Sequence, residues 1–89
     1  MNYSFEYDPE KSLRNREKHG IDFEEARSLW EGRTTETHLE FPEEQRYLTV
    51  GQIRGKFWSA IITYRHEKIR IISIRRSRAA EIHLWQQHH

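Results

Sequence analysis

Eighty-nine residues are enough for one domain and too few for two, so we expect a single domain over residues 1–89. The chain has no cysteine, which excludes disulfides and thiolate metal sites and is typical of a reducing cytoplasm. No stretch approaches the roughly 20 apolar residues of a membrane span. The N-terminus carries charge where a signal peptide needs an apolar run. We therefore expect a cytoplasmic protein without membrane association.

The N-terminal part of the chain predicts one strand and two helices. Aromatic residues alternate over residues 2–7, which predicts a strand. Asp8, followed by proline, is typical of a helix start, and Gly20 is typical of a helix end. A second helix is expected between Asp22, a capping residue, and Gly32, because apolar residues recur there at helical intervals.

The C-terminal part predicts four strands and a final helix. The strands are expected over residues 34–41, 46–53, 57–65 and 68–75, and the helix over 78–87 with Ser77 as its cap. The second and third of these strands form a hairpin, and the isoleucines at 69, 71, 72 and 74 place the last strand inside the sheet with both faces covered. The order β-α-α-β-β-β-β-α predicts an α+β fold. We expect an antiparallel sheet of about four to five strands, two N-terminal helices and one C-terminal helix.

Charge is segregated along the chain although the net charge is only +1. Residues 22–44 contain eight acids and two bases, whereas residues 46–78 contain nine bases and one acid, Glu67. Attraction between the two halves across the fold accounts for part of this pattern. Nine bases with a single acid among them also favour an anionic ligand such as a nucleic acid.

The first helix carries a row of polar residues that suits a phosphate backbone. Lys11, Arg14, Asn15 and Lys18 lie at intervals that place them on one helical face. Leu13 is the only strongly apolar residue of this helix, so the helix is expected to contribute little to the core. The alternative is an exposed helix with intrahelical ion pairs, such as Glu10 with Arg14.

A second cluster of cations, Arg75, Arg76 and Arg78, lies where the last strand meets the last helix. Guanidinium groups bind phosphate through paired hydrogen bonds, and strand ends beside a rigid sheet are usual places for active groups. Neighbouring strand residues point to opposite faces, so Arg75 and Arg76 are not expected to enter one pocket. The alternative is a solvated strand end paired with acids of residues 22–44.

Two residues are candidates for proton transfer. Glu81 could accept a proton from a ribose hydroxyl, could orient a guanidinium, or could form an ion pair with Arg78 three residues earlier. His19 could act as an acid or base, or could serve only as a cation at the C-terminal end of its helix. The six histidines are scattered without metal-ligand spacing, so we expect no metal and no other cofactor.

The last helix carries apolar residues around most of its circumference. These residues are Ala79, Ala80, Ile82, Leu84 and Trp85. Core packing explains some of this distribution, and contact with a protein partner is a second explanation.

The ordered set of these residues resembles the BrnT family of bacterial toxin–antitoxin systems, whose fold is similar to that of the RelE-like ribonucleases. The matching positions are Phe5, Asp8, Pro9, Lys11, Asn15, Lys18, His19, Gly20, Phe23, Glu24, Ala26, Arg46, Gly51, residues 70–76 and Glu81. Trp85 differs from the tyrosine usual in the family, and Ile74 replaces a small residue.

The resemblance implies a toxin that cleaves mRNA and arrests growth. It also implies an antitoxin that binds operator DNA through its own ribbon-helix-helix domain, so that the toxin meets operator DNA only through this partner. We hypothesise an endoribonuclease in which the ribose 2′-hydroxyl attacks the neighbouring phosphorus without a metal and leaves a 2′,3′-cyclic phosphate. The catalytic candidates are Arg75, Arg76, Glu81 and His19, and the RNA-binding candidates are Lys11, Arg14, Asn15, Lys18 and Arg78.

Two other classes of function fit the same pattern of charge. The domain could bind RNA or ribosomes without cutting, or the basic surface could only dock an acidic partner protein. Mapping of RNA ends separates the first class from a nuclease, and salt-dependent RNA binding argues against the second.

Overall fold

The first helix begins and ends where its capping residues predict. The computed structural model describes residues 3–89, and in it helix α1 spans Pro9–His19. The Asp8 carboxylate accepts a hydrogen bond of 2.9 Å from the backbone amide of Glu10. Gly20 ends the helix in the left-handed conformation, with φ of 80°. Both capping predictions are confirmed.

The strand before α1 is shorter than predicted, whereas the helical segment after it has the predicted bounds but two conformations. Strand β1 is Phe5–Glu6, and Asn2, the first residue of the predicted strand, lies outside the described residues. The second helix is divided into α2, Phe23–Ala26, and a 3-10 helix, Arg27–Glu31. The Asp22 carboxylate caps α2 as predicted.

The remaining elements are strands β2 (Thr35–Leu39), β3 (Arg46–Ile53), β4 (Lys56–Arg65) and β5 (Lys68–Arg76), followed by helix α3 (Ala79–His88). They form one sheet in the order β1-β5-β4-β3-β2. Every pairing is antiparallel except that of β1 with β5, which is parallel. The predicted α+β fold is confirmed, and the sheet is mixed instead of wholly antiparallel.

The pairing of β4 with β5 contains an irregularity that the isoleucine pattern did not predict. Ile71 and Ser73 pair with consecutive residues of β4, so Ile72 is left without a register partner. Because of this extra residue, the side chains in the rest of the strand face the opposite sides of the sheet from those that simple alternation predicts. Ile71 and Ile74 are both almost fully buried in one core, whereas strict alternation would place them on opposite faces. The predicted position of this strand inside the sheet is confirmed, since β5 lies between β1 and β4, but Ile69, Ile71 and Ile74 share one core instead of being divided between the two faces.

The main core lies between one face of the sheet and the segment formed by α1, α2 and the 3-10 helix. It contains Ile21, Phe23, Ala26, Leu29, Ile53, Ala60, Ile62, Ile69, Ile71 and Ile74. As predicted, α1 adds no apolar side chain to this core, because its buried residues are Ser12 and Asn15 and its Leu13 is 61% exposed. Helix α3 lies on the opposite face of the sheet. No helix among residues 3–89 has the length and apolar character needed to cross a membrane.

Candidate functional site

The two neighbouring arginines at the end of β5 leave the strand on opposite faces, as their adjacency predicts. Arg75 is the register partner of Ser59 and lies on the face that carries α3. Arg76 is the register partner of Trp58 and lies on the face of the main core. The extra residue at Ile72 decides which arginine faces which side, because without it the two assignments would be exchanged.

Arg75 is held by a bidentate ion pair with Glu81 of α3. Its two terminal nitrogens each donate a hydrogen bond of 2.8 Å to a different oxygen of the Glu81 carboxylate. One of these oxygens, Oε1, also accepts bonds from the Ser59 hydroxyl at 2.9 Å and the Arg78 backbone amide at 2.8 Å. The Ser77 hydroxyl bonds to that of Ser59 at 2.7 Å. We call these four side chains, Arg75, Glu81, Ser59 and Ser77, the Arg75–Glu81 node.

The node keeps Glu81 ionised. The side chain of Glu81 is only 13% exposed, and that of Arg75 is 27% exposed. The Arg75 guanidinium, with help from the Arg78 amide and the Ser59 hydroxyl, lowers the pKa of Glu81 to about 2. The same pairing raises the pKa of Arg75. A carboxylate this acidic is a weak base at neutral pH.

At the start of α3 the structure selects among the roles considered for Glu81 and contradicts the cap predicted at Ser77. Glu81 is paired with Arg75 and not with the side chain of Arg78, whose backbone amide it accepts instead. Ser77 does not cap the helix, since Arg78 occupies the cap position and the Ser77 hydroxyl turns toward Ser59. The first is a contact between β5 and α3, and the second joins β4 to the segment between β5 and α3.

Arg76 has a different environment from Arg75. Its guanidinium lies over the indole of Trp58, 5.4 Å from the ring centroid, and its Nε donates a 3.2 Å hydrogen bond to the carbonyl of Phe57. The side chain is exposed, and no carboxylate among residues 3–89 lies within ion-pairing distance of it. Arg76 is thus a fixed cation with a charge that the described part of the chain leaves unneutralised.

The nine bases of residues 46–78 are only partly neutralised by carboxylates in the folded chain. Four of the nine form ion pairs with carboxylates: Arg46 and Arg65 with Glu44, Arg70 with Glu6, and Arg75 with Glu81. Within the described residues the other five have no such partner: Arg54, Lys56, Lys68, Arg76 and Arg78. Attraction between the two halves of the sequence therefore involves one acid of residues 22–44, Glu44, and does not account for the whole pattern.

The α1 residues predicted to share one face are divided by the structure. Lys11, Arg14 and Lys18 are exposed, and Arg14 forms the expected pair with Glu10 at 3.4 Å. Asn15 is 7% exposed. We therefore assign Asn15 a structural role and leave it out of the RNA-binding surface.

The buried amide of Asn15 attaches α1 to the end of β5. Its nitrogen donates to the carbonyls of Ile21 at 2.8 Å and Ile74 at 2.9 Å, and its oxygen accepts from the Ile74 amide at 3.1 Å. Ile74 lies two residues before Arg76, so this contact brings the cationic helix to the same end of the strand. His19, in the last turn of α1, is half-buried.

Sequence reasoning missed Trp58 and Ser59, and gave Ser77 a different role, because the contacts of these residues depend on strand register. Trp85, which replaces the family's usual tyrosine, packs edge-on against Phe57 and donates a 3.0 Å hydrogen bond to the carbonyl of Arg33. Its polar group is therefore used to attach α3 to the start of β2.

Among residues 3–89 no group of three or more metal-ligating side chains comes together.

Comparison with known proteins assigns a family to this arrangement. A family model described as the ribonuclease toxin BrnT of type II toxin–antitoxin systems matches residues 7–81. The chain belongs to the BrnT family. The match includes α1, strands β2 to β5 and the Arg75–Glu81 node, and it begins just after β1. BrnT proteins are ribonuclease toxins, so membership implies an RNA substrate and an antitoxin partner.

A solved structure shares the BrnT fold. The 1.1 Å crystal structure of the Brucella abortus ribonuclease toxin BrnT matches with a TM-score of 0.64 and 18% sequence identity. The match covers 86% of this chain and 99% of the Brucella chain. A search of curated proteins found no match.

Proposed function

We propose that this BrnT protein is a metal-independent endoribonuclease that cleaves mRNA and thereby arrests growth. The observation that carries this proposal is the environment of the Arg76 side chain. Its guanidinium is exposed, fixed against Trp58 and unpaired with any carboxylate of the described residues. A fixed and unneutralised guanidinium is suited to a phosphate that gains negative charge during reaction.

In this proposal the RNA backbone is held by exposed cations of α1 and of the segment after β5. Lys11 and Lys18 are exposed on α1, which the Asn15 amide attaches beside the end of β5. Arg78 is exposed two residues after Arg76. Arg14 contributes less, because its ion pair with Glu10 already neutralises part of its charge. These cations position phosphates without reading the bases.

The reaction uses a nucleophile that belongs to the substrate. The ribose 2′-oxygen attacks the adjacent phosphorus as its proton passes to a base, and the bond from phosphorus to the 5′-oxygen breaks as that oxygen receives a proton. The products are a 2′,3′-cyclic phosphate and a free 5′-hydroxyl. Arg76 stabilises the extra charge on the phosphoryl oxygens, and loss of one such group costs about 10²–10³ in rate.

Glu81 and Arg75 have a positioning role in this mechanism. The low pKa of Glu81 makes it a poor acceptor of the 2′-hydroxyl proton at neutral pH. Both terminal nitrogens of Arg75 are occupied by Glu81, so this pair fixes the junction from which Arg76 and Arg78 extend. His19 is our candidate for proton transfer, because it is a half-buried imidazole in the last turn of α1, the helix that the Asn15 amide attaches to β5.

The experiment is end mapping of RNA incubated with the purified chain in the presence of EDTA. We expect new ends that carry 2′,3′-cyclic phosphate and 5′-hydroxyl groups, at rates that EDTA does not change. Lys68→Ala is the matched control for a variant without the Arg76 guanidinium. Among the described residues Lys68 is an exposed cation without an ion pair, and it lies at the other end of β5. Intact RNA with salt-dependent binding would instead identify a non-catalytic RNA-binding protein, and cleavage that EDTA abolishes would refute metal independence.

A further inference from the structure

Three exposed cations lie at the end of the sheet where the β3–β4 hairpin turns and β5 ends. Lys56 is the first residue of β4, and it forms no ion pair with the described residues. Arg76 and Arg78 are likewise exposed and have no carboxylate partner within residues 3–89. Both arginines have a role in the proposed mechanism, whereas Lys56 has none.

Strand register places Lys56 beside Arg76 on one face of the sheet. Trp58 is the register partner of Arg76, and Lys56 precedes Trp58 by two residues, so the three side chains share the face of the main core. Diagonal neighbours of this kind in an antiparallel pair are about 7–8 Å apart. Without the extra residue at Ile72, Arg75 would take the place of Arg76 on this face.

Two hydrogen bonds to one carbonyl hold the end of β5 against the start of β4. The Arg76 Nε donates a bond of 3.2 Å to the carbonyl of Phe57, the residue between Lys56 and Trp58. The same carbonyl accepts a bond of 3.0 Å from the backbone amide of Ser77. The Arg76 guanidinium is therefore directed toward the strand that carries Lys56.

The hairpin turn fixes the backbone of Lys56. Ile53 pairs with Lys56 across a turn formed by Arg54 and Gly55, whose φ angles are 51° and 78°. Positive φ at both positions is typical of the two-residue turns that match the twist of a hairpin. The position of Lys56 is therefore set by the turn on one side and by β5 on the other, and only its side chain is flexible.

Arg54, the other cation of the hairpin, is less suited to an anionic ligand. It lines a groove that also contains Glu24, Glu25 and Glu31, and these carboxylates offset its charge. Lys56 is not among the residues that line this groove. Of the two hairpin cations, Lys56 is therefore the one whose charge is available.

The two neighbouring cations differ in the kind of phosphate contact that they can make. A guanidinium binds phosphate through paired hydrogen bonds, whereas an ammonium is a point charge on a flexible stem. Arg76, fixed over Trp58, suits the phosphate that reacts, and Lys56 suits a phosphate that only has to be held. A single RNA strand presents both phosphates, because every linkage carries a negative charge.

We propose that Lys56 binds the RNA phosphate next to the one that Arg76 contacts. The RNA strand then crosses the end of the sheet from β5 to the β3–β4 hairpin. Lys56 contributes to substrate binding and takes no part in bond breaking. This inference rests on the proposed function in taking the anion to be RNA, and it adds a phosphate subsite to that function.

The first test compares RNA cleavage and salt-dependent RNA binding by wild type, Lys56→Ala, Lys56→Arg and Lys68→Ala. We expect Lys56→Ala to raise KM about three- to tenfold with little change in kcat, because it removes binding and not transition-state stabilisation. Its slope of log affinity against log salt concentration should be smaller in magnitude by about 0.7, which corresponds to one phosphate contact. Lys56→Arg should restore both values. Lys68→Ala removes an exposed lysine at the other end of the sheet and should match wild type.

A second test locates the contact on the RNA. In 2′-O-methyl versions of the RNA whose ends have been mapped, the nucleophile is blocked, and one linkage beside the cleaved one is replaced by a neutral methylphosphonate. Separate oligonucleotides carry the replacement on the 5′ side and on the 3′ side. Wild type should bind one of them about three- to tenfold more weakly than the unmodified 2′-O-methyl RNA, whereas Lys56→Ala should bind these two equally.

Several results would overturn the proposal. One is a KM and a salt slope of Lys56→Ala equal to those of wild type, and another is a fall in kcat as large as that of Arg76→Ala, which would place Lys56 on the reacting phosphate. Unchanged RNA binding by Lys56→Ala together with weaker binding of the antitoxin would also overturn it and would identify an acidic protein segment as the ligand. A wild-type chain that binds RNA without cleaving it would refute the proposed function, and the salt slope of Lys56→Ala would still decide this inference.

Discussion

Replacement of Glu81 by glutamine tests the Arg75–Glu81 node, because glutamine keeps the shape of the side chain and removes its charge. The pKa of Glu81 is lowered from 4.5 to about 2, and its side chain is only 13% exposed. Each unit of pKa corresponds to about 1.4 kcal/mol, so ionisation of Glu81 stabilises the fold by about 3 kcal/mol at neutral pH. This is a large share of the roughly 4–13 kcal/mol expected for a chain of this length.

The pH dependence of this effect has a defined sign. Because the folded pKa is lower than the unfolded one, the stabilisation is fully present above the unfolded value of 4.5 and is lost as the pH falls toward about 2. We expect Glu81→Gln to lower the free energy of unfolding by about 3 kcal/mol at pH 7 and by about 1 kcal/mol at pH 3.

The assay is urea unfolding of wild type and Glu81→Gln at pH 7 and pH 3. Glu67→Gln is the matched control, because it makes the same chemical change at an exposed carboxylate in the turn between β4 and β5. A loss of stability for Glu81→Gln that is the same at both pH values would refute the reasoning, and so would a loss no larger than that of Glu67→Gln.

Three further predictions concern the RNA-binding surface and its supports. A double variant with alanine at Lys11 and Lys18 should bind single-stranded RNA with a slope of log affinity against log salt concentration that is smaller in magnitude by about 1.4. Lys68→Ala should leave this slope unchanged, and titrations at several salt concentrations check both. Asn15→Ala should lower the free energy of unfolding by about 2–4 kcal/mol in urea, because backbone groups of β5 lose their buried partner. Trp58→Leu should lower kcat about five- to tenfold with little change in KM, and Trp58→Phe should restore most of the loss, because a ring beneath Arg76 is retained.

Sequence reasoning succeeded where the determinants are local. The Asp8 cap, the left-handed Gly20 and the Asp22 cap each act within a few residues, so their signals could be read directly. The hairpin of β3 and β4 was also predicted from the glycines near its bend, and in the structure Gly55 lies in its turn with a positive φ. The side chains of Arg75 and Arg76 point to opposite faces of the sheet because successive side chains alternate between the two faces of any strand.

Features that depend on pairing between distant residues could not be predicted. The extra residue at Ile72 is visible only in the register of β5 against β4, yet it decides the face on which each arginine lies. Asn15 resembles a member of a polar helical face until its bonds to Ile74, 59 residues away, are known. Parallel pairing of β1 with β5 likewise depends on how the chain returns after six intervening elements.

The most direct test of the account is the cleavage rate of Arg76→Ala against RNA, measured beside Lys68→Ala with folding of both variants confirmed by circular dichroism. Arg76 lies on the surface, so its removal should leave the fold unchanged. The account predicts a fall in rate of about 10²–10³ for Arg76→Ala and a rate near that of wild type for Lys68→Ala. Cleavage by Arg76→Ala at the wild-type rate would contradict the assignment of phosphate stabilisation to this cation.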